Sequence, residues 1–292
     1  MPTNLLSIGE LIDQTWERYR DNFLPLMSLS GWTVLVALLN VISIAFYPSA
    51  SKMFLNSGDI TQMETFGIVL YALTSFIIAP LMNTFVFVSV IRMAKSLLSN
   101  RGAAVKRSIS EVKTRFLPAV VISFMYLIIL FLAALLPLLP AGVFGLLSLI
   151  LQNNTLLTVS NILLALGIFV SAYLVIRWGI QYYFASYLVI QDDEKIKASL
   201  MSSRRLVDKR FWSVSLRLIA PKILFLLFGV LMIWILNFLV TIVFSGVSGL
   251  NLDLQARLLS YTDSVIPILA TIFIQPLIIL SDVVLIKSLK GE

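Results

Sequence analysis

The sequence predicts an all-α polytopic membrane protein, with six transmembrane helices arranged as three parallel repeats of a surface helix followed by a helical hairpin. Composition is the first observation behind this. Of the 292 residues, 59% are hydrophobic and 13% charged, against about 45–50% and about 25% in soluble domains. The second is the set of apolar segments, since about 20 residues at 1.5 Å each cross the hydrocarbon layer. The third is the placement of Lys and Arg, nearly all of which fall in alternate loops.

The chain has no His and no Cys. That removes the commonest general base, the commonest zinc ligands, thiol nucleophiles and disulfides together. A net charge of +7 would suit nucleic acid on a soluble chain. Here the cations belong to loops beside apolar segments, so neither a nucleic-acid partner nor a cofactor or metal is expected.

Residues 1–23 carry no signal-peptide pattern: no basic residue precedes Arg18, and Leu5 to Phe23 is too polar for an export core. Ser7-Ile8-Gly9-Glu10 reads as a capping box opening a helix. Leu5, Ile8, Ile12, Trp16, Tyr19 and Phe23 then recur at helical spacing. This amphipathic helix lies either on the membrane surface or on the protein's own polar loops.

Leu24 to Tyr47 is the first span, and Ser49 to Thr65 a polar loop turning at Gly58-Asp59. Phe66 to Ile91 is the second, with Pro80 breaking its register. Arg92 to Arg115 is a basic loop in which Ser108-Ile109-Ser110-Glu111 repeats the capping box. The apolar run Phe116 to Leu151 has 36 residues, about 54 Å if straight. Pro137 and Pro140 therefore predict a kink, belonging either to a bent helix or to a broken helix that lines a cavity.

Gln152 to Thr155 is a tight turn, and Leu156 to Ile176 the fourth span. Arg177 then marks the cytoplasmic boundary, with Trp178, Tyr182 and Tyr183 as an interfacial belt, or else lies within the bilayer as a functional group. Asp192 to Arg210 predicts a second surface helix, acids at its start and cations at its end. Trp212 to Phe244 holds the fifth span, starting near Pro221. Leu252 to Leu259 is a short amphipathic piece, and Val265 to Ile286 the sixth span. Asp282 stands about one turn from Lys287, its expected partner.

With both termini and the 92–115 and 191–222 loops inside, 19 of the 22 Lys and Arg face the cytoplasm. Six spans of the cytoplasmic (inner) membrane with both ends inside follow from that asymmetry. Arg101, Lys106, Arg107, Lys113 and Arg115, with Arg204, Arg205, Lys209 and Arg210, form the candidate surface for anionic lipid headgroups or a membrane protein partner. Topogenic charge alone accounts for them equally well.

Phe23-Leu24-Pro25 recurs as Phe116-Leu117-Pro118, and Phe211-Trp212 follows at nearly the same interval, 93 then 95 residues. The expected repeats are 1–97, 98–191 and 192–292, within one membrane domain.

The opening Ser7 to Phe23, together with Tyr182 to Ile190 and Ser202-Ser203-Arg204-Arg205-Leu206-Val207 before Phe211-Trp212, resembles a group of prokaryotic six-helix membrane proteins of unassigned function. That group is related to the membrane domain of some glycerophosphodiester phosphodiesterases. The resemblance implies a cytoplasmic-membrane location and a link to lipid or envelope upkeep. The phosphodiesterase domain is not in this sequence, so no catalytic residue carries over.

The expectation is a non-enzymatic accessory or scaffolding protein of membrane, lipid or envelope homeostasis. The alternative is a transporter or lipid-handling protein with a cavity between the repeats, using Arg177 and Asp282. An enzyme is not expected: no predicted span carries two acids or a Gly-x-Ser-x-Gly.

Overall fold

A computed structural model describes residues 5–49, 52–53, 57–99, 105–245 and 252–291. These residues form helices and no strand. Six helical stretches are long and apolar enough to cross a membrane: Phe23–Phe46, Gln62–Leu98, Val105–Leu151, Asn154–Gln191, Phe211–Val243 and Arg257–Lys290. Large apolar side chains stand bare along them, Phe76, Phe169 and Trp234 among others. Such a surface suits lipid rather than water.

Two compact units divide the chain, one from residues 1–116 and 217–292, the other from 117–216. In the first, α1 (Ile8–Asp21) starts at the expected box: the Ser7 amide donates to Glu10, and the Glu10 amide donates to the Ser7 hydroxyl. Helix α2 (Phe23–Ser30) and a 3₁₀ turn lead into α3 (Val34–Phe46). The second span comprises α4 (Gln62–Leu73), a π-helical turn at Thr74–Ile78 and α5 (Ala79–Leu98). Pro80 lies in the first turn of α5, so the break in register falls just ahead of it. Helix α4 has its own capping box, Thr61 with Glu64.

Helix α6 (Val105–Leu135) passes from the first unit into the second. The expected box at Ser108–Glu111 does not form, because Val105 is already helical and Ser108 therefore lies inside α6 and not at a cap position. Glu111 instead accepts from Arg107. The second surface helix of the repeat pattern is accordingly continuous with its span.

In the second unit a 3₁₀ turn at Leu136–Leu138 separates α6 from α7 (Leu139–Leu151), the expected break at Pro137 and Pro140. Gln152 is left-handed at φ 48° and closes α7, and Asn153 caps α8 (Asn154–Tyr182). Helix α8 carries small residues past the break: Ser171 donates to the Ala134 carbonyl at 2.7 Å and Ser160 to Ala141 at 2.8 Å. A Cβ on Gly167 would stand 2.7 Å from the Pro137 carbonyl oxygen, so only glycine allows this approach. Helices α9 (Ala185–Gln191) and α10 (Ile196–Asp208) follow, and Ile196 and Leu200 of α10 pack on a core of Ile122, Ala185 and Val189.

Helix α11 (Phe211–Ser245) runs unbroken through Pro221, so the segment from Phe211 to the proline is continuous with the fifth span. Helix α12 (Leu252–Lys290) is likewise unbroken. The separate amphipathic piece expected at Leu252 to Leu259 is its first turns. Helix α12 is the axis of the first unit: Leu277, Leu280 and Val283 to Ile286 are buried in it, and α1, α3 and α5 pack on it.

Candidate functional site

Asp282 is 1% exposed, and its Oδ1 lies 3.0 Å from Nζ of Lys222, which is 18% exposed. The expected pairing with Lys287 is therefore incorrect. Five residues advance an α-helix by about 500°, which leaves Lys287 about 140° away from the Asp282 face. Lys287 donates instead to the Leu98 carbonyl at the end of α5. Lys222 is the one charged residue between Arg217 and Ser245, and Asp282 the one between Asp263 and Lys287. Isolated opposite charges in consecutive spans were the signal for this pair.

The amino-terminal helix is tied to the same helix ends. Arg217 donates to the Leu6 carbonyl at 2.6 Å, the Leu6 amide to Ser288 and the Tyr19 hydroxyl to the Phe273 carbonyl. Leu11, Thr15 and Tyr19 are buried on α12, whereas Trp16 is exposed. Of the two expected placements of α1, packing on the protein accounts for its buried face. Burial pushes the Tyr19 phenol up to about 12.

The predicted basic surface divides into paired and outward-facing cations. Glu111 lies 2.9 Å from Arg107 and 3.5 Å from Arg92 of α5, so it ties α5 to α6. Arg204 is 3.2 Å from Asp208, which also accepts from Gln181 at 2.6 Å, while Ser203 donates to the Gln181 carbonyl. These contacts fasten α10 to the foot of α8. Lys106, Lys113, Arg205 and Lys209 are exposed, Arg115 and Arg210 half-buried. Arg101 lies outside the described residues.

Arg177 is exposed on α8, where its Nη1 donates to the Tyr173 hydroxyl at 2.6 Å and its guanidinium lies 5.8 Å from the ring centre. It comes 23 residues after Asn154, roughly 35 Å along the axis. That exceeds the hydrocarbon thickness of about 30 Å. The boundary placement therefore fits the helix length.

One feature was not expected from the sequence. Within the first unit a cleft of about 370 Å³ opens between the first, second and sixth spans. The first span lines it with Thr33 and Asn40, the second with Tyr71, Ser75 and Asn83. The sixth adds Asp263, Ser264 and Thr271. Polar side chains thus converge from three apolar helices, whereas Arg177 and Asp282 are not in the lining. The spacings Thr33-Val36-Asn40 and Ser264-Ile268-Thr271 put each set on one helical face.

No family model, no curated protein and no solved structure matches this chain.

Proposed function

We propose that this multi-pass membrane protein is a non-catalytic accessory or scaffolding protein of the cytoplasmic membrane. Both of its termini are inside, and it serves membrane, lipid or envelope upkeep by holding anionic headgroups on its basic loops. Membership of the six-helix group that its opening and its 182–212 segment resemble is part of the same proposal. The observation that carries the reading is the set of four exposed cations, Lys106 and Lys113 on the first turns of α6, Arg205 on α10 and Lys209 just after it, in segments that charge asymmetry assigns to the cytoplasm. Neighbouring Arg107 and Arg204 are engaged with Glu111 and Asp208, so these four are the cations of the predicted basic surface that are exposed and outside its ion pairs, with Lys195 and Lys197 exposed nearby. Each contributes about 1 kcal/mol near an anionic leaflet.

Mass spectrometry of the protein extracted with its native lipid tests this, beside a variant with all four changed to Gln. Anionic lipid should be enriched over its abundance in the membrane and fall to that abundance in the variant. Equal enrichment in both refutes the reading. A stoichiometric protein partner without lipid enrichment would make the same surface a protein-docking site.

A further inference from the structure

We propose that the cleft between the first, second and sixth spans binds a primary ammonium group, with Asp263 as its counter-ion and the amides and hydroxyls below as hydrogen-bond partners. Three observations converge on it. First, the backbone is shaped to line it. Positions four apart in an α-helix drift by about 40° per step, so Tyr71, Ser75, Ala79 and Asn83 would wander by about 120°. The π turn at Thr74–Ile78 is wider and takes back much of that drift, and all four residues face the cleft.

Second, a polar atom there has no hydrogen-bond partner in the protein. Among the described residues that line the cleft, Asn40 Oδ1 is buried without a hydrogen bond. Buried groups of this kind cost free energy unless something else satisfies them.

Third, the charge selects the ligand. Among the described residues that line the cleft, Asp263 is the one carboxylic acid and none is Lys or Arg. Arg257, about 9 Å up the same helix, donates to the Ala45 carbonyl at 3.0 Å. An ammonium group offers three donors to the Asp263 carboxylate and to Asn, Ser and Thr oxygens. A phosphate would meet a like charge.

A volume of about 370 Å³ holds a headgroup-sized molecule. Both an aminolipid headgroup and a soluble alkylamine carry the required group.

The test uses the full chain in detergent micelles, with dihexanoyl phosphatidylethanolamine, dihexanoyl phosphatidylglycerol and free ethanolamine as probes, binding being read by native mass spectrometry. The ethanolamine lipid should saturate one site at least about tenfold more tightly than the glycerol lipid, the scale of one charge-assisted contact. Asp263→Asn, isosteric and on an exposed residue, should bring the two lipids within about threefold. Displacement by free ethanolamine at concentrations comparable to the lipid assigns the site to soluble amines, and displacement only at far higher ones assigns it to a lipid. Equal binding of the two lipids by the unaltered protein, preference for the glycerol lipid, absence of saturable binding, or unchanged selectivity in Asp263→Asn would each overturn the proposal.

Discussion

Removing one member of the Lys222–Asp282 pair should destabilise the protein far more than removing both. The carboxylate is 1% exposed and the ammonium 18% exposed, at 3.0 Å. Breaking a buried pair costs about 3–5 kcal/mol, because a charge is left without its counter-ion, whereas an apolar replacement of both is nearly neutral. The two single variants should differ. Lys222→Met leaves Asp282 enclosed on a short side chain and should fall at the upper end, about 5 kcal/mol. Asp282→Leu leaves a long side chain that can turn its ammonium toward the headgroups and should cost about 3 kcal/mol. The double variant Lys222→Met/Asp282→Leu should lie within about 1.5 kcal/mol of the unaltered protein, giving a coupling well above the few tenths expected of independent sites. Reversible unfolding in mixed detergent micelles, followed by Trp fluorescence, measures all four corners of the cycle. Single variants that each cost under about 1 kcal/mol, or a double variant as unstable as the worse single, would refute the argument.

Lys287→Met should cost only about 1 kcal/mol in the same assay, since it removes one hydrogen bond to the Leu98 carbonyl. A loss as large as that of Lys222→Met would restore Lys287 as the partner of Asp282. Gly167→Val should cost at least about 1–3 kcal/mol by overpacking, because its Cβ would lie 2.7 Å from the Pro137 carbonyl oxygen; an unchanged unfolding midpoint would contradict that approach. At the amino terminus, the Ser7 amide and then its hydroxyl hold the Glu10 carboxyl below its ordinary 4.5. A lowered folded value stabilises the charged form, so the cap contributes fully above about 4.5 and is lost as pH falls through the lower folded value. Protection of the Ser7 amide against hydrogen exchange, taken relative to its intrinsic rate, should fall over that acid range, and Glu10→Gln should abolish the pH dependence; protection unchanged from pH 5 to 2 would count against the cap.

The elements legible in the sequence are those specified by neighbours along the chain. Apolar length marks the six spans, Ser7 and Glu10 mark the start of α1, and Pro137 and Pro140 mark the break between α6 and α7. The same local pattern misleads at Ser108-Ile109-Ser110-Glu111, because a capping box needs a non-helical residue before it and α6 is already helical there. Thr61-Gln62-Met63-Glu64 carries the pattern where the preceding chain is extended, and the box forms.

Contacts between helices are harder to read. Sequence proximity pairs Asp282 with Lys287 on its own helix, whereas its partner Lys222 stands on the preceding span. The cleft is less legible still, since Thr33, Asn40, Ser75 and Thr271 are each unremarked in an apolar helix and acquire meaning only when three spans bring them together. The polar positions Tyr71, Ser75 and Asn83 at multiples of four are the trace of it that sequence reasoning could have followed.

The proposed function depends on which side of the membrane the basic loops occupy, and a chain without cysteine permits a direct test. Single variants Lys113→Cys, Lys209→Cys and Asn154→Cys would be exposed to a membrane-impermeant maleimide in intact and in opened cells. Six spans with cytoplasmic termini predict that Asn154→Cys labels in intact cells, whereas Lys113→Cys and Lys209→Cys label only after opening. Labelling of Lys113→Cys or Lys209→Cys in intact cells would contradict the orientation, and with it a role at the anionic inner leaflet.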